Sequence, residues 1–147
     1  MSIRLEEVIG KRLAGDQSQR VIWWKGTWWD AEKVEQKTEE CASILREAGF
    51  QPGSRLAAFL PNSPLVLLLS MAAWRLGGTF VPLNPRGGVE WILRILDHLD
   101  PFAVVVGEEM TPLEEAIRGA GIPVVAAPSD GVPPAFTGKR DRIDQDP

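Results

Sequence analysis

Tyrosine is missing from this 147-residue chain, and cysteine and histidine each occur once. With Cys41 alone, no intramolecular disulfide can form and no cysteine-based zinc site can be assembled. That usage fits a reducing compartment. With His98 alone, next to Asp97 near an expected helix end, the sequence shows no His/Asp/Glu cluster at metal-ligand spacing and no motif that places a serine for a Ser-His-Asp set. Positive charge is not in excess. Sixteen Lys and Arg against twenty Asp and Glu give a net charge of −4, with neither the footprint of a nucleic-acid binder nor a polybasic surface for anionic lipid. Long apolar runs are lacking too. The run over residues 65–69 is as long as any, and even extended through residue 74 it falls short of the about 20 residues of a bilayer span. The opening MSIRLEEVIGKR carries charge throughout and has no secretory pattern. Phosphate loops are absent as well: there is no Gly-x-Gly-x-x-Gly and no Walker A pattern. Thr137-Gly138-Lys139 lacks the glycine run, strand and helix that such a loop needs. A cytoplasmic setting is expected, with no nucleic-acid partner and no transmembrane segment.

What is present is apolar periodicity with clear punctuation. The apolar fraction of 44% is ordinary for a packed domain. Val8, Ile9 and Leu13 share one side of a short helix, which residues 15–18 break. VIWWKGTWW then reads as a β-hairpin around Lys25-Gly26, because glycine at the second loop position suits a type I′ turn. Four of the six tryptophans lie in seven residues here. Alternation puts Trp23 and Trp28 on a different face from Trp24 and Trp29, so one pair can pack inward. The hairpin either covers an edge of the domain or offers a contact surface, a dimer contact rather than a ligand site.

Asp30 is placed to cap a helix that runs to about residue 48, with Val34, Thr38, Cys41, Leu45 and Ala48 as its buried stripe and Gly49 just past its end. Cys41 on that stripe reads as a small core residue. RLAAFL is a short buried strand. Ser63 and Pro64 are a natural N-cap and first-turn pair for an all-apolar helix over residues 64–76. Gly77-Gly78 ends it, TFVPL is a strand and NPRGG a turn. A helix over residues 89–99 stops at Asp100-Pro101. FAVVV is a fully buried strand. Thr111-Pro112 caps a last helix to about residue 119, with Glu114 and Glu115 in its first turn. IPVVA is the final strand. Glu108-Glu109 and Glu114-Glu115 read as solvated charges, His98 as a surface residue, and Trp74 and Trp91 as core. The order after residue 54, β-α-β-α-β-α-β, predicts a parallel sheet covered on both faces.

These pieces, in this order and spacing, resemble one family. Pro52-Gly53 with Arg55 before a strand, Leu60-Pro61-Asn62-Ser63, and Gly77-Gly78 leading to Val81-Pro82-Leu83-Asn84-Pro85 are similar to the N-terminal part of the adenylate-forming (AMP-binding) enzymes, most like acyl-CoA synthetases and long-chain fatty acid–CoA ligases. The similar run covers about residues 20–106. Asp30-Ala31 stands where family members often carry Thr or Ser followed by Tyr. The resemblance implies an α/β fold, a short parallel sheet flanked by helices with an N-terminal β-hairpin, forming part of the larger N-domain. Residues 1–126 are then expected to be a partial N-terminal subdomain, with the hairpin near 21–29, and residues 127–147 a Pro/Gly/charged linker or tail.

The family's Ser/Thr/Gly-rich ATP loop and its later magnesium- and ribose-binding residues are not in this sequence. The resemblance therefore implies carboxylate adenylation and thioester formation, with ATP, magnesium and coenzyme A, for a complete parent enzyme. This chain is expected to be its N-terminal fragment, with no cofactor, catalytic residue or metal ligand of its own, inactive alone and partnered by the remainder of the parent. Arg86 matches the position that lies near coenzyme A phosphates in some CoA-forming members. An exposed turn arginine is the other reading of that residue. The competing functional expectation is a free-standing α/β module for self-association or interaction, with the Trp hairpin or an uncovered apolar layer as the contact.

Overall fold

The computed structural model describes residues 4–128 of the chain. Helix α1 (Leu5–Ala14) leads to strands β1 (Arg20–Trp24) and β2 (Thr27–Asp30), which form the predicted antiparallel hairpin. Lys25 and Gly26 have φ of 48° and 78°, the positive pair that a type I′ turn demands. Trp23 faces Trp28 across the ladder and both are exposed, whereas Trp29 is buried and Trp24 packs against the core. The sequence alternation thus selects the Trp24/Trp29 side as the inner one.

Helix α2 (Ala31–Glu47) begins where Asp30 caps it: the Lys33 N–H donates to Asp30 Oδ1 at 2.8 Å. Its stripe of Val34, Thr38, Cys41 and Leu45 is buried as expected, and Ala48 at the end is partly so. The Thr38 hydroxyl donates to the Val34 carbonyl at 2.7 Å, which resolves the one polar group on that stripe. On α1 the expected face is only partly used. Leu13 is buried and Ile9 partly so, but Val8 is half exposed.

Four parallel strands follow: β3 (Arg55–Phe59), β4 (Thr79–Pro82), β5 (Ala103–Gly107) and β6 (Val124–Ala127), in the order β4-β3-β5-β6. Helix α3 (Pro64–Arg75) joins β3 to β4, α4 (Val89–Leu99) joins β4 to β5, and α5 (Thr111–Gly119) joins β5 to β6. The strands alternate between two apolar clusters. Leu56, Ala58, Ala103 and Val105 face one with α2, α3 and the hairpin, whereas Ala57, Phe59, Val104 and Val106 face the other with α4 and α5. Period-2 alternation inside strands that are apolar throughout is what a sheet covered on both faces requires. The direction of strand progression reverses after β4, and the helices change face at the same step. The three crossovers therefore share one hand.

Helix α3 is sealed between layers, with Leu65, Leu68, Leu69, Met71, Ala72 and Ala73 all buried. Arg75 at its end reaches back to α2, donating to Glu35 at 2.8 Å and Glu39 at 2.9 Å. Two capping expectations are corrected. Ser63 makes no side-chain cap, and α3 relies on Pro64 at its first position and on burial instead. Thr111 is the first residue of α5 rather than its cap, and its hydroxyl donates to the Glu108 carbonyl at 3.2 Å. Among the described residues no helix is long and apolar enough to cross a membrane. Strand β6 runs through Ala127, and Thr137-Gly138-Lys139, like most of the expected tail, lies outside the described residues.

Candidate functional site

The carboxyl ends of parallel strands are where open α/β sheets place ligands. At that end, β4 runs into Asn84 and a single 3-10 turn, Pro85–Gly87, before α4. The Arg86 N–H donates to Asn84 Oδ1 at 2.9 Å, an Asx turn that fixes the backbone, while Pro85 holds φ. Gly88 then adopts φ of 81° and starts α4 with no side-chain cap. The first amides of α4 are left for solvent or a ligand.

Arg86 is exposed, and among the described residues its guanidinium makes no ion pair or hydrogen bond. Beside it lies a shallow groove of about 410 Å³, lined by Gly87, Gly88, Val89, Glu90, Trp91 and Arg94. Trp91, expected in the core, is 47% exposed, and its ring lies over Gly87, so closely that a Cβ there would strike it. This corrects the sequence reading. The helix period held the signal: Trp91, Arg94 and His98 recur at spacings of three and four on a flank of α4, away from the buried Ile92 and Leu96. Arg94 was missed for the same reason, since a charged residue on an amphipathic helix is ordinarily a solvated one.

The groove gathers the Arg94 guanidinium, the Trp91 ring and the first residues of α4, with Glu90 as the opposing charge, and Arg86 precedes it in the turn. Such a donor set suits a phosphate-bearing ligand with an aromatic part. Glu90 is the one carboxylate among the residues lining the groove, and no Ser, Cys, His or Lys lines it. The remaining candidates lie elsewhere. His98 is exposed on the last turn of α4. Cys41 is buried, and burial pushes its thiol up to about 12, which makes it inert at neutral pH. Glu108 and Glu109 are exposed after β5, and Glu114 pairs with Arg118 at 2.6 Å. Trp74 is half-buried against the main core, close to its expected place. No group of three potential metal ligands exists among the described residues.

A second cleft, of about 320 Å³, separates α1 from α3, with Ile9, Leu13, Met71 and Trp74 among its lining residues and Arg4, Glu7 and Arg75 as its charged ones. Arg75 is already engaged by two carboxylates, so this cleft has less to offer an anion.

With that geometry in view, the relationships are clear. Residues 11–141 match the AMP-binding enzyme family, and the chain belongs to it. A long-chain-fatty-acid–CoA ligase, FadD13 of Mycobacterium tuberculosis, is 32% identical over 83 residues, which are 56% of this chain and 16% of the ligase. Among solved structures, ATP-bound MatB from Rhodopseudomonas palustris superposes on 88% of this chain and 26% of its own length, with TM-score 0.74 and 25% identity. VinN gives a TM-score of 0.76 at 20% identity over 83% of this chain and 31% of its own. The fold is thus that of an adenylate-forming enzyme N-domain, and the chain spans between about a sixth and a third of the length of these relatives.

Proposed function

We propose that these residues form the N-terminal α/β layer of an ATP-dependent acyl-CoA synthetase. The observation that carries this reading is the family match across residues 11–141, joined to a parallel sheet that superposes on most of this chain's length with ATP-bound MatB. The complete enzyme would join a carboxylate to the α-phosphate of ATP, releasing pyrophosphate. A thiol would then displace AMP to give the thioester. The residues described here are scaffold for that reaction: none is a nucleophile or general base placed for either step.

Arg86 is the ligand contact we assign within this scaffold, to a phosphate of coenzyme A. Among the described residues its guanidinium has no partner, its backbone is fixed by Asn84, and the turn that carries it leads into the start of α4. Arg94 and the Trp91 ring extend the same surface. In the complete ligase Arg86→Ala should raise KM for coenzyme A about tenfold or more, the loss of one charge-assisted hydrogen bond of about 1.5–3 kcal/mol. ATP–pyrophosphate exchange should be unchanged. A variant that loses both half-reactions equally refutes the assignment. The purified 147-residue chain should show no ATP–pyrophosphate exchange above background, and exchange above background would refute the scaffold reading.

A further inference from the structure

Arg86 sits in a stretch of chain that packing does not hold. The sheet fixes the backbone as far as Leu83, whose N–H donates to the Ala58 carbonyl at 2.8 Å and whose side chain is half-buried against the cluster under α4 and α5. The next buried residue is Ile92, one turn into α4. Every residue between them, 84–91, is exposed. Gly87 and Gly88 follow Arg86 directly, and glycine restrains its neighbours least of all residues. The chain after Arg86 thus does little to set its position. The constraint has to come from before it.

Two residues supply that constraint. Pro85 locks its own φ. The Asn84 side chain accepts from the Arg86 N–H at 2.9 Å and caps the 3-10 turn Pro85–Gly87. Among the described residues this is the one hydrogen bond that the Asn84 side chain makes. Position 84 is exposed, so burial does not call for asparagine there. Aspartate or serine could also cap the turn. An aspartate, however, would set a carboxylate two positions before Arg86, where it competes with a phosphate for the guanidinium. Asparagine makes the bond and adds no charge.

We infer that Asn84 is a positioning residue for the thioester-forming step: by bonding the Arg86 backbone it presents the Arg86 guanidinium to a phosphate of coenzyme A. This rests on the assignment of Arg86 made above, and Asn84 itself touches no ligand. Its contribution is pre-organisation, since without it the arginine must be ordered each time coenzyme A binds.

The test is steady-state kinetics of the complete ligase with two thiols, coenzyme A and pantetheine, which carries the same thiol arm and no phosphate. Asn84→Ala should raise KM for coenzyme A about fivefold, the worth of one neutral hydrogen bond. Its KM for pantetheine should match that of the parent. Asn84→Ser, whose hydroxyl makes the same turn more weakly, should fall between the parent and Asn84→Ala. In an Arg86→Ala background, Asn84→Ala should add nothing, because no guanidinium is left to position. An Asn84→Ala KM equal to the parent's, with Arg86→Ala still impaired, overturns the positioning role and leaves the Arg86 assignment standing. An Arg86→Ala KM equal to the parent's overturns that assignment and this inference with it. An equal loss with pantetheine, or full additivity of the two substitutions, would show Asn84 acting on the fold rather than through the guanidinium, and overturns this inference alone.

Discussion

Gly78→Ala tests how the buried helix α3 is joined to strand β4. Gly78 follows the positive-φ residue Gly77, and its N–H donates to the Ala73 carbonyl at 2.8 Å to close the helix end. A Cβ on Gly78 would strike the Phe50 ring and come within 2.7 Å of the Ser54 carbonyl oxygen. Neither obstacle can step aside. Phe50 is buried and packs edge-on against Phe102 at 5.3 Å, and the Ser54 carbonyl accepts from the Thr79 N–H at 2.9 Å, the bond that opens the β3–β4 pairing. Overpacking of this kind costs about 1–3 kcal/mol, and a backbone obstacle puts this site at the upper end. With a urea m-value of about 1.5 kcal/mol/M, the unfolding midpoint should fall by about 1–2 M. Phe50→Leu in the same chain should recover part of that loss, so a double-mutant cycle should show coupling of about 1 kcal/mol. A Gly78→Ala midpoint within about 0.3 M of the parent, with no coupling to Phe50, would refute the close-approach argument.

Other expectations are narrower. Cys41 should resist alkylation at pH 8 in the folded chain and react in urea, because burial raises its thiol to about 12 from the ordinary 9.0. The sign follows: the folded chain keeps this proton above pH 9 while the unfolded chain releases it. Stability from this group is thus complete below pH 9 and falls by about 1.4 kcal/mol per pH unit as pH rises toward 12. Asp30→Ala should cost about 1 kcal/mol in urea unfolding, and Asp30→Asn much less, since the amide oxygen can still accept from Lys33. Arg75→Ala should cost no more than about 1 kcal/mol, with the effect shrinking in high salt, because the Glu35 and Glu39 pairs are partly exposed.

Most of the fold was legible because its signals are local or periodic. Asp30 as a cap, the Lys25-Gly26 turn and the bounds of α4 each follow from residues adjacent in sequence. The parallel sheet followed from apolar strands alternating with helices. What the sequence left open depends on where an element lands. Ser63 has the chemistry of a cap, yet its hydroxyl does not bond to the helix start it precedes. Thr111 lies one residue further inside its helix than the motif implies, since the turn after β5 closes through the Met110 N–H donating to Gly107.

Trp91 shows the limit most clearly, and why it matters for the site. Hydrophobicity places a tryptophan in the core, but only the helix phase decides which face it occupies, and α4 already fills its buried face with Ile92 and Leu96. The ring is left on the flank, where Gly87 offers a flat backbone to cover. That placement makes the two glycines of NPRGG one wall of a groove, with Arg86 just before them in the chain and Arg94 three residues beyond Trp91. The glycines in that turn therefore serve two ends. Gly88 supplies the positive φ that starts the helix, and Gly87 supplies the gap in which the indole rests. A side chain at position 87 would strike the Trp91 ring and reshape the groove. Gly87→Ala in the complete ligase should therefore raise KM for coenzyme A and leave ATP–pyrophosphate exchange unchanged, and an unchanged KM would exclude the groove from holding that ligand.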